Sequence, residues 1–209
     1  MPTRPIQIRK HDLALKLQQV NPHPRPKVAL EQYTIPADLA AEILFTACYV
    51  HDDIEGKFIL DLGTGTGRLA LGAAVLGAGY VVGIDIDPLS LSAASKSSEI
   101  LGASADVDWV LGNIETIRGH AQTVLMNPPF GTKQPHADIQ FLQCALNVGD
   151  VVYSIHKSST REFLNGWLQN KGFQCEQITS TRMEIRHQFP FHRKPRRFVE
   201  VDVLRVKAS

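Results

Sequence analysis

The hydrophobic pattern alternates between short apolar runs and longer stretches with helical spacing. Runs with the length of buried strands, bounded by glycine or polar residues, occur at residues 58–60, 80–84, 107–111, 123–126 and 151–155. Helical stretches lie between or after them, at residues 68–76, 87–101, 137–146 and 159–169. Strands that alternate with helices predict a doubly wound, mostly parallel α/β sheet with right-handed crossovers.

The N-terminal part of the chain has a different pattern. Residues 10–20 lack glycine and proline, and residues 36–50 carry Leu39, Ile43 and Leu44 at helical spacing, so each stretch predicts a helix. Between them, prolines at positions 22, 24 and 26 exclude a helix and favour an extended connector.

The C-terminal part predicts a hairpin. Residues 173–185 and 198–206 are extended runs, and the second alternates in roughly period two, which is typical of an antiparallel edge of the sheet. We therefore expect one domain over residues 1–209. It comprises a helical and extended N-terminal segment (1–50) and a Rossmann-like core (57–209).

Composition narrows the class of protein. Hydrophobic residues make up 44% and charged residues 21% of the chain, as in ordinary soluble domains. No apolar run approaches the roughly 20 residues that a membrane span needs, and no signal peptide is indicated, so we expect a cytoplasmic protein without a membrane partner. Three cysteines, far apart in the sequence, indicate neither a disulfide framework nor a zinc site, and no metal is expected.

Charge is unevenly distributed. Residues 1–30 carry a net charge of +5, residues 31–155 a net charge of −10, and residues 156–209 a net charge of +6. Basic ends around an acidic middle indicate a protein that binds a polyanion.

A glycine-rich loop follows the first predicted strand. Asp61 is followed by glycines at positions 63, 65 and 67, the spacing GxGxG, whereas the fingerprint of dinucleotide-binding folds is GxGxxG. The loop resembles motif I of class I S-adenosylmethionine (SAM)-dependent methyltransferases, and an acid at the strand end suits a ligand that carries an ammonium group. The second strand ends at Asp85, where a carboxylate can accept both hydroxyls of a ribose. Asp87 is assigned to capping of the helix that follows.

The fourth predicted strand ends in the sequence Asn127-Pro128-Pro129-Phe130. The prolines cannot continue the ladder and stiffen the loop. An amino nitrogen conjugated to a ring is a poor nucleophile, and the Asn127 side-chain oxygen and the Pro128 carbonyl can accept its hydrogens and orient it for methyl transfer. Phe130 offers a face for stacking of a flipped-out base. The motif predicts methylation of an amino or amide nitrogen and does not separate adenine, guanine and glutamine.

Several segments together resemble the small methyltransferase-like family of rRNA N6-adenine methyltransferases. They are residues 31–33, 53–57, 61–67, 126–131 and 153–161, and the segments at residues 183–185 and 191–194 are similar to the archaeal members. The resemblance implies a class I SAM-dependent methyltransferase fold, SAM as the methyl donor and small-subunit rRNA as the substrate. It also implies a small zinc-ribbon activator protein as a partner in a heterodimer.

The resemblance assigns further residues to the cofactor site. It implies SAM contacts at Gln32, Gly63 and Thr66, the ribose acid at Asp85 and an acceptor for the SAM adenine at Asn113. Asp61, Gly67 and Ile114 complete the predicted cofactor site. This chain departs from the family at two positions: Ile35 replaces a usual threonine, and Asn113 replaces a usual aspartate. We expect SAM binding to survive both changes, because Asn113 still offers an acceptor oxygen.

The basic tail and the third strand are the candidate surfaces for macromolecules. Basic groups bind phosphates and aromatic rings stack on unpaired bases, so we predict RNA contacts at Lys157, Arg161, Arg186, His192, Arg193, Lys194, Arg196 and Arg197. His156 is either part of this patch or a structural histidine. The third strand, residues 107–111, is an edge in this topology and carries Trp109, and we expect the activator to pair there.

Other functions are less consistent with the sequence. A glutamine N5-methyltransferase of release factors shares the loop but normally has tyrosine after the prolines. A catalytically silent rRNA assembly factor would have no need of an intact Asn127–Phe130 loop. An NAD oxidoreductase is disfavoured by the glycine spacing, and a cytosine C5-methyltransferase by the lack of a cysteine after proline in the loop.

Overall fold

A computed structural model describes residues 8–104, 106–131, 135–186 and 196–208. Its centre is a seven-stranded sheet with the order β3-β2-β1-β4-β5-β7-β6. The strands are β1 (Phe58–Leu62), β2 (Tyr80–Asp85), β3 (Val107–Leu111), β4 (Ala121–Met126), β5 (Gly149–Lys157), β6 (Phe173–Arg186) and β7 (Arg196–Ala208). The helices are α1 (Lys10–Gln18), α2 (Ala37–Tyr49), α3 (Arg68–Val75), α4 (Pro88–Leu101), α5 (Ala137–Val148) and α6 (Arg161–Asn170).

The predicted mixed sheet is confirmed. Strands β1 to β5 are parallel to one another, and β7 pairs antiparallel with both β5 and β6. The predicted strands and helices agree with the observed ones to within about three residues. The helix α4 begins and ends at the capping residues of its sequence. The Asp87 side chain accepts from the Leu89 N–H at the start, and Gly102 caps the end with a φ of 68°.

The sheet divides two layers of helices. Residues of α1, α2 and α3 share a hydrophobic cluster with one face of the sheet, and residues of α5 and α6 share a second cluster with the other face. Alternate strand residues therefore enter different clusters, as Ile59 and Leu60 do. Among the described residues, no helix has the length and apolar character needed to cross a membrane.

The segment between α1 and α2, residues 19–36, is called the connector here. It contains one short 3-10 helix, Val28–Leu30, which the proline pattern did not predict. The connector crosses the rim of the sheet at which the parallel strands end. Every ligand site built at that rim is therefore in reach of its side chains.

The hairpin of β6 and β7 extends past this rim. Pairing between β5 and β7 ends at Lys157 and Val201, whereas β6 and β7 continue to pair through five further residue pairs as far as Arg186 and Arg196. At roughly 3.4 Å per residue, this overhang is about 17 Å long. It projects on the side of the sheet where β1, β2 and β4 have their carboxyl ends.

A buried polar network joins the start of the core to the C-terminal strand. The Asp53 carboxylate accepts from the Tyr153 hydroxyl at 2.8 Å and from the Arg205 Nε at 2.8 Å, and the Asp53 carbonyl accepts from the Thr123 hydroxyl at 2.6 Å. Burial, together with the hydrogen bond to Asp53, raises the pKa of Tyr153, so the phenol stays neutral. The network ties three strands to the loop before β1.

We predict that Asp53→Ala lowers the free energy of unfolding by about 3 kcal/mol, because it removes the acceptor of the buried Tyr153 hydroxyl and the nearer of the two carboxylates beside the Arg205 guanidinium. Urea unfolding followed by circular dichroism measures this change. As a matched control, Asp150→Ala removes an exposed pair with His120 and should cost less than about 1 kcal/mol. Equal losses in the two variants would contradict a special role of the buried network.

Candidate cofactor and catalytic site

The loop after β1 is built on glycines with left-handed backbone conformations. The φ angles of Gly63 and Gly67 are 65° and 83°, a region that residues with a Cβ rarely adopt. A Cβ on Gly67 would also lie 2.5 Å from the ring of Trp109. The loop is held to β2 because the Thr64 N–H donates to the Ile84 carbonyl at 2.9 Å. Trp109 thus packs beneath the glycine loop.

A cavity of about 400 Å³ opens above this loop, within the usual range for small-molecule sites. Its walls come from the glycine loop, the ends of β2 and β4, the start of α5 and the connector. Most of the predicted cofactor and catalytic residues line it, namely Gln32, Asp61, Gly63, Thr66, Asp85, Asn113, Ile114, Asn127 and Pro129. Three predicted residues, Gly67, Pro128 and Phe130, support it without lining it.

Asp61 is a buried carboxylate at the end of β1. Its Oδ2 accepts from the Thr64 hydroxyl at 2.6 Å and from the Ala70 N–H at 3.0 Å, while its Oδ1 has no hydrogen-bond partner in the described part of the chain. Burial raises the pKa of Asp61 to about 7. An unpaired carboxylate oxygen at the cavity fits a ligand that brings a positive charge.

Asp85 and Asn113 lie at the ends of β2 and β3. The two Asp85 oxygens accept from the Gly65 N–H and the Asp87 N–H, both at 2.8 Å, and burial raises the pKa of Asp85. The Asn113 side-chain oxygen accepts from the Glu115 N–H at 3.1 Å. Each oxygen keeps a second acceptor site, so Asp85 can accept ribose hydroxyls and Asn113 an amino hydrogen.

The connector is fastened across the cavity by Asp87. The predicted helix cap is confirmed, but the buried Asp87 carboxylate also accepts from Gln32 Nε2 at 2.8 Å and lies 3.2 Å from His23 Nε2 and 3.3 Å from Lys27 Nζ. Burial opposes ionisation of Asp87, yet Gln32, the Leu89 N–H and Lys27 hold its pKa below the usual range. Gln32 lines the cavity and is part of the fastening at the same time.

Arg68 is a site residue that the sequence analysis missed. It begins α3 and lines the cavity, and its guanidinium donates to the carbonyls of Ile35 and, at 3.2 Å, Val20. Burial lowers the pKa of Arg68. The sequence contained one indication of this role. A cation in the first turn of a helix interacts unfavourably with the helix dipole, so Arg68 is expected at that position only if it makes other interactions.

The loop after β4, residues 127–130, is the predicted catalytic loop, and it presents the Asn127 side chain to the cavity. Asn127 Nδ2 donates to the Tyr33 carbonyl at 3.2 Å, and this bond leaves Oδ1 buried without a partner among the residues described. The amide is therefore fixed with its acceptor free, as required for binding the hydrogens of an amino group.

Phe130 differs from the expectation of a stacking platform. Its side chain is only 8% exposed and belongs to the hydrophobic cluster shared by the sheet and α2. Its N–H donates to Glu31 Oε2 at 3.0 Å and its carbonyl accepts from Lys157 Nζ at 3.3 Å. The aromatic rings that do line the cavity belong to Tyr33 and Phe141, which the sequence analysis did not assign.

Unpaired polar atoms concentrate at the cavity. Buried polar side-chain atoms normally have hydrogen-bond partners, and the described residues contain five that do not, on Asp61, Thr66, Arg68, Asn127 and His156. The first four of these residues line the cavity. This distribution is typical of a site whose remaining partners come from a ligand.

Two of the predicted RNA-binding residues make contacts within the protein. Lys157 bonds to the Phe130 carbonyl, as described above. Arg161 forms a two-bond ion pair with Asp202, at 2.7 Å for each bond, and its hydrogen bonds hold the pKa of Asp202 at about 2. His156 is 1% exposed and bonds to Ser154 at 2.7 Å, which favours the structural interpretation over the RNA patch.

Three further predicted RNA contacts, Arg186, Arg196 and Arg197, belong to the overhang. Arg186 and Arg196 are opposite each other at its end, and Arg197 follows. His192, Arg193 and Lys194 lie outside the described residues. Closer to the sheet, the Arg182 guanidinium lies 4.5 Å from the ring centroid of Phe198, which is 45% exposed.

Comparisons with known proteins show which family this chain belongs to. Residues 47–127 match the sequence profile of the ribosomal protein L11 methyltransferase family (PrmA). The structure of PH1948 from Pyrococcus horikoshii superposes with a TM-score of 0.88 and 36% identity, covering 97% of this chain and 99% of that one.

Two relatives cover nearly the whole sequence. Protein MJ0284 of Methanocaldococcus jannaschii is 38% identical over 94% of this chain and 92% of its own length. The rRNA N(6)-adenosine-methyltransferase METTL5 of Danio rerio is 37% identical over 90% of this chain and 94% of its own length. This chain therefore belongs to the METTL5 family of SAM-dependent rRNA N6-adenosine methyltransferases.

Proposed function

We propose that this protein transfers a methyl group from SAM to the exocyclic amino nitrogen of an adenine in small-subunit rRNA. The observation that carries the proposal is the free Oδ1 of Asn127 in a cavity where Asp61 and Thr66 also have unpaired oxygens. Relatives named as rRNA N6-adenosine methyltransferases support the base and the RNA class. The choice of the small subunit rests on the family resemblance of the sequence.

The residues fit SAM as the cofactor. Asp61 would hold the ammonium group, Asp85 the ribose hydroxyls, and Asn113 with Ile114 the adenine. Gln32, Gly63 and Thr66 would complete the contacts, and Gly67 keeps the loop in place above Trp109. Bound SAM supplies an electrophilic methyl group on a sulfonium.

The protein's own groups would prepare the acceptor. Asn127 Oδ1 would accept one hydrogen of the adenine amino group, and the Pro128 carbonyl, which lies just outside the cavity lining, is the predicted acceptor of the other, so that the nitrogen lone pair would be oriented for attack. Pro129 and the rings of Tyr33 and Phe141 provide an apolar wall for the base. The loop needs no strong base, because the alkylated nitrogen becomes acidic and releases its proton to water.

The overhang supports an RNA substrate over a protein substrate. The paired backbone at the end of the overhang carries three basic residues, Arg186, Arg196 and Arg197. Clustered basic residues are the electrostatic footprint of a polyanion binder. The overhang lies on the same side of the sheet as Asn127, and it leads into His192, Arg193 and Lys194 in the sequence.

A zinc-ribbon activator would pair with β3 at the edge of the sheet. β3 is the terminal strand, and Val110 and Leu111 are 42% and 60% exposed. Unpaired edges and exposed apolar side chains are typical of strand-addition interfaces. Trp109 is not a candidate contact, because its ring packs beneath Gly67 and Gly83.

We predict that Asn127→Ala lowers methyl transfer about 100- to 1000-fold while SAM binding changes little, because an acceptor that orients the nucleophile is lost. The assay uses labelled SAM with purified small-subunit rRNA, large-subunit rRNA and a release factor as parallel substrates, with the activator supplied. Nucleoside digestion should identify N6-methyladenosine in small-subunit rRNA only. Label in the release factor alone would instead indicate a glutamine methyltransferase, and SAM binding without transfer to any substrate would favour a silent assembly factor.

We predict that the affinity for SAM increases roughly fivefold between pH 6 and pH 7 and then levels off, because the cation binds to ionised Asp61 with a pKa of about 7. Calorimetry of SAM binding between pH 5.5 and pH 7.5 measures it. In Asp61→Asn the affinity should be lower and nearly independent of pH. The same slope in both proteins would contradict the assignment of Asp61.

Asp61→Asn, which lowers the affinity for SAM, should raise the stability of the protein at neutral pH. The pKa of Asp61 is raised on folding, so the free energy of unfolding falls as pH rises from about 4 to about 7. Without SAM at pH 7.5, Asp61→Asn should therefore melt at a higher temperature than the wild type, since it avoids burying an uncompensated charge.

We predict that Leu111→Glu weakens binding of the activator at least about tenfold, since a charge at the exposed end of the edge strand must be buried without a partner. Co-purification and titration calorimetry measure it. Ile100→Glu is the matched control, because Ile100 is 55% exposed on α4 and outside the edge. Equal affinities of Leu111→Glu and wild type would place the partner elsewhere.

A further inference from the structure

Opposite charges bind the main chain of Phe130 from two sides. The Glu31 carboxylate accepts from its N–H at 3.0 Å, and the Lys157 ammonium donates to its carbonyl at 3.3 Å. The Lys157 Nζ also lies 5.7 Å from the centroid of the Phe130 ring. Glu31 belongs to the connector and Lys157 ends β5, so the loop is held between two parts of the chain that are distant in sequence.

The connector holds the other end of the loop as well. Two residues after Glu31, the Tyr33 carbonyl accepts from Asn127 Nδ2 at 3.2 Å. Glu31 is 6% exposed and has a φ of 48°, in the left-handed region that residues with a Cβ seldom adopt. A buried carboxylate in that conformation is retained only where the surrounding structure holds it.

We propose that Glu31 and Lys157 are positioning residues for methyl transfer. They hold the main chain of Phe130 at its N–H and at its carbonyl, and because the two intervening prolines have locked φ angles, they also fix the backbone from which Asn127 projects. The inference deepens the proposed function and rests on it for the nature of the reaction. It assigns Lys157 a different role from the phosphate contact that its basic neighbourhood in the sequence predicted.

The two roles of Lys157 differ in kinetics. A positioning residue acts on the transition state, so its loss lowers kcat and leaves KM for RNA nearly unchanged. A phosphate contact acts on binding, so its loss raises KM and makes binding less dependent on salt.

The kinetic test compares Glu31→Ala, Glu31→Gln and Lys157→Ala at saturating SAM. We expect kcat to fall about 10- to 100-fold in both alanine variants, with KM for rRNA within about twofold of wild type. Glu31→Gln keeps a neutral acceptor and should recover kcat to within about fivefold of wild type. Lys171→Ala is the matched control: Lys171 lies over the Trp167 ring at 4.9 Å, at the opposite end of α6 from Lys157, and its loss should leave kcat unchanged.

A second measurement does not depend on the substrate. Nine phenylalanines allow selective ¹⁵N labelling, and the Phe130 amide can be assigned by its absence in Phe130→Leu. Loss of the carboxylate in Glu31→Ala should make hydrogen exchange at this amide at least about tenfold faster, and Glu31→Gln should retain part of the protection. If Glu31→Ala does not fold, Glu31→Gln and Lys157→Ala carry the same comparison.

These results separate the inference from the proposed function. Wild-type kcat in Glu31→Ala and Lys157→Ala, or an increased KM with weaker salt dependence in Lys157→Ala, would overturn the positioning role. Unchanged exchange of the Phe130 amide in Glu31→Ala would overturn it too. If the wild type methylates no rRNA, the proposed function fails. Faster exchange in Glu31→Ala would still show that Glu31 holds the main chain of Phe130.

Discussion

The structure of the site depends on the Asp87 carboxylate. It caps α4 and, at the same point, binds the connector, which has almost no regular structure of its own. Burial of this charge is tolerated because it has several donors, on Leu89, Gln32, His23 and Lys27. The connector forms one wall of the cavity and reaches the catalytic loop through Glu31 and Tyr33. The Asp87 carboxylate therefore influences both the wall of the cavity that the connector forms and the geometry of the loop at Asn127–Phe130.

The buried carboxylates of Asp87 and Asp61, both at the rim of the sheet, have different roles. Hydrogen bonds from Gln32, Leu89 and Lys27 lower the pKa of Asp87 despite its burial, whereas burial raises the pKa of Asp61, whose Oδ1 has no partner among the described residues. Environments that push the pKa values of neighbouring acids apart distinguish structural from functional roles. The acidic segment, residues 31–155, thus contains acids with distinct roles. Part of its net charge of −10 belongs to the carboxylates of the site.

The sequence allowed prediction of the sheet because parallel strands buried on both faces are continuous apolar runs that glycine and proline interrupt clearly. The glycine loop and Asn127 were predictable because their chemistry lies in consecutive residues. The contacts of Glu31, Arg68 and Lys157 were not, because they join residues 27 to 99 positions apart. The orientation of Phe130 was also missed, since local sequence does not state whether a loop aromatic faces the ligand or the core.

The burial of Phe130 changes how genetic variation in this family should be interpreted. Its ring belongs to the same hydrophobic cluster as Met183 and Val201 of the C-terminal hairpin and Ile155 of β5. Conservative replacements at these positions change the packing of the cluster that contains the Phe130 ring, and none of the three residues lines the cavity. A loss-of-function allele far from the cavity can therefore encode a protein that folds and accumulates normally, and whose defect is confined to turnover.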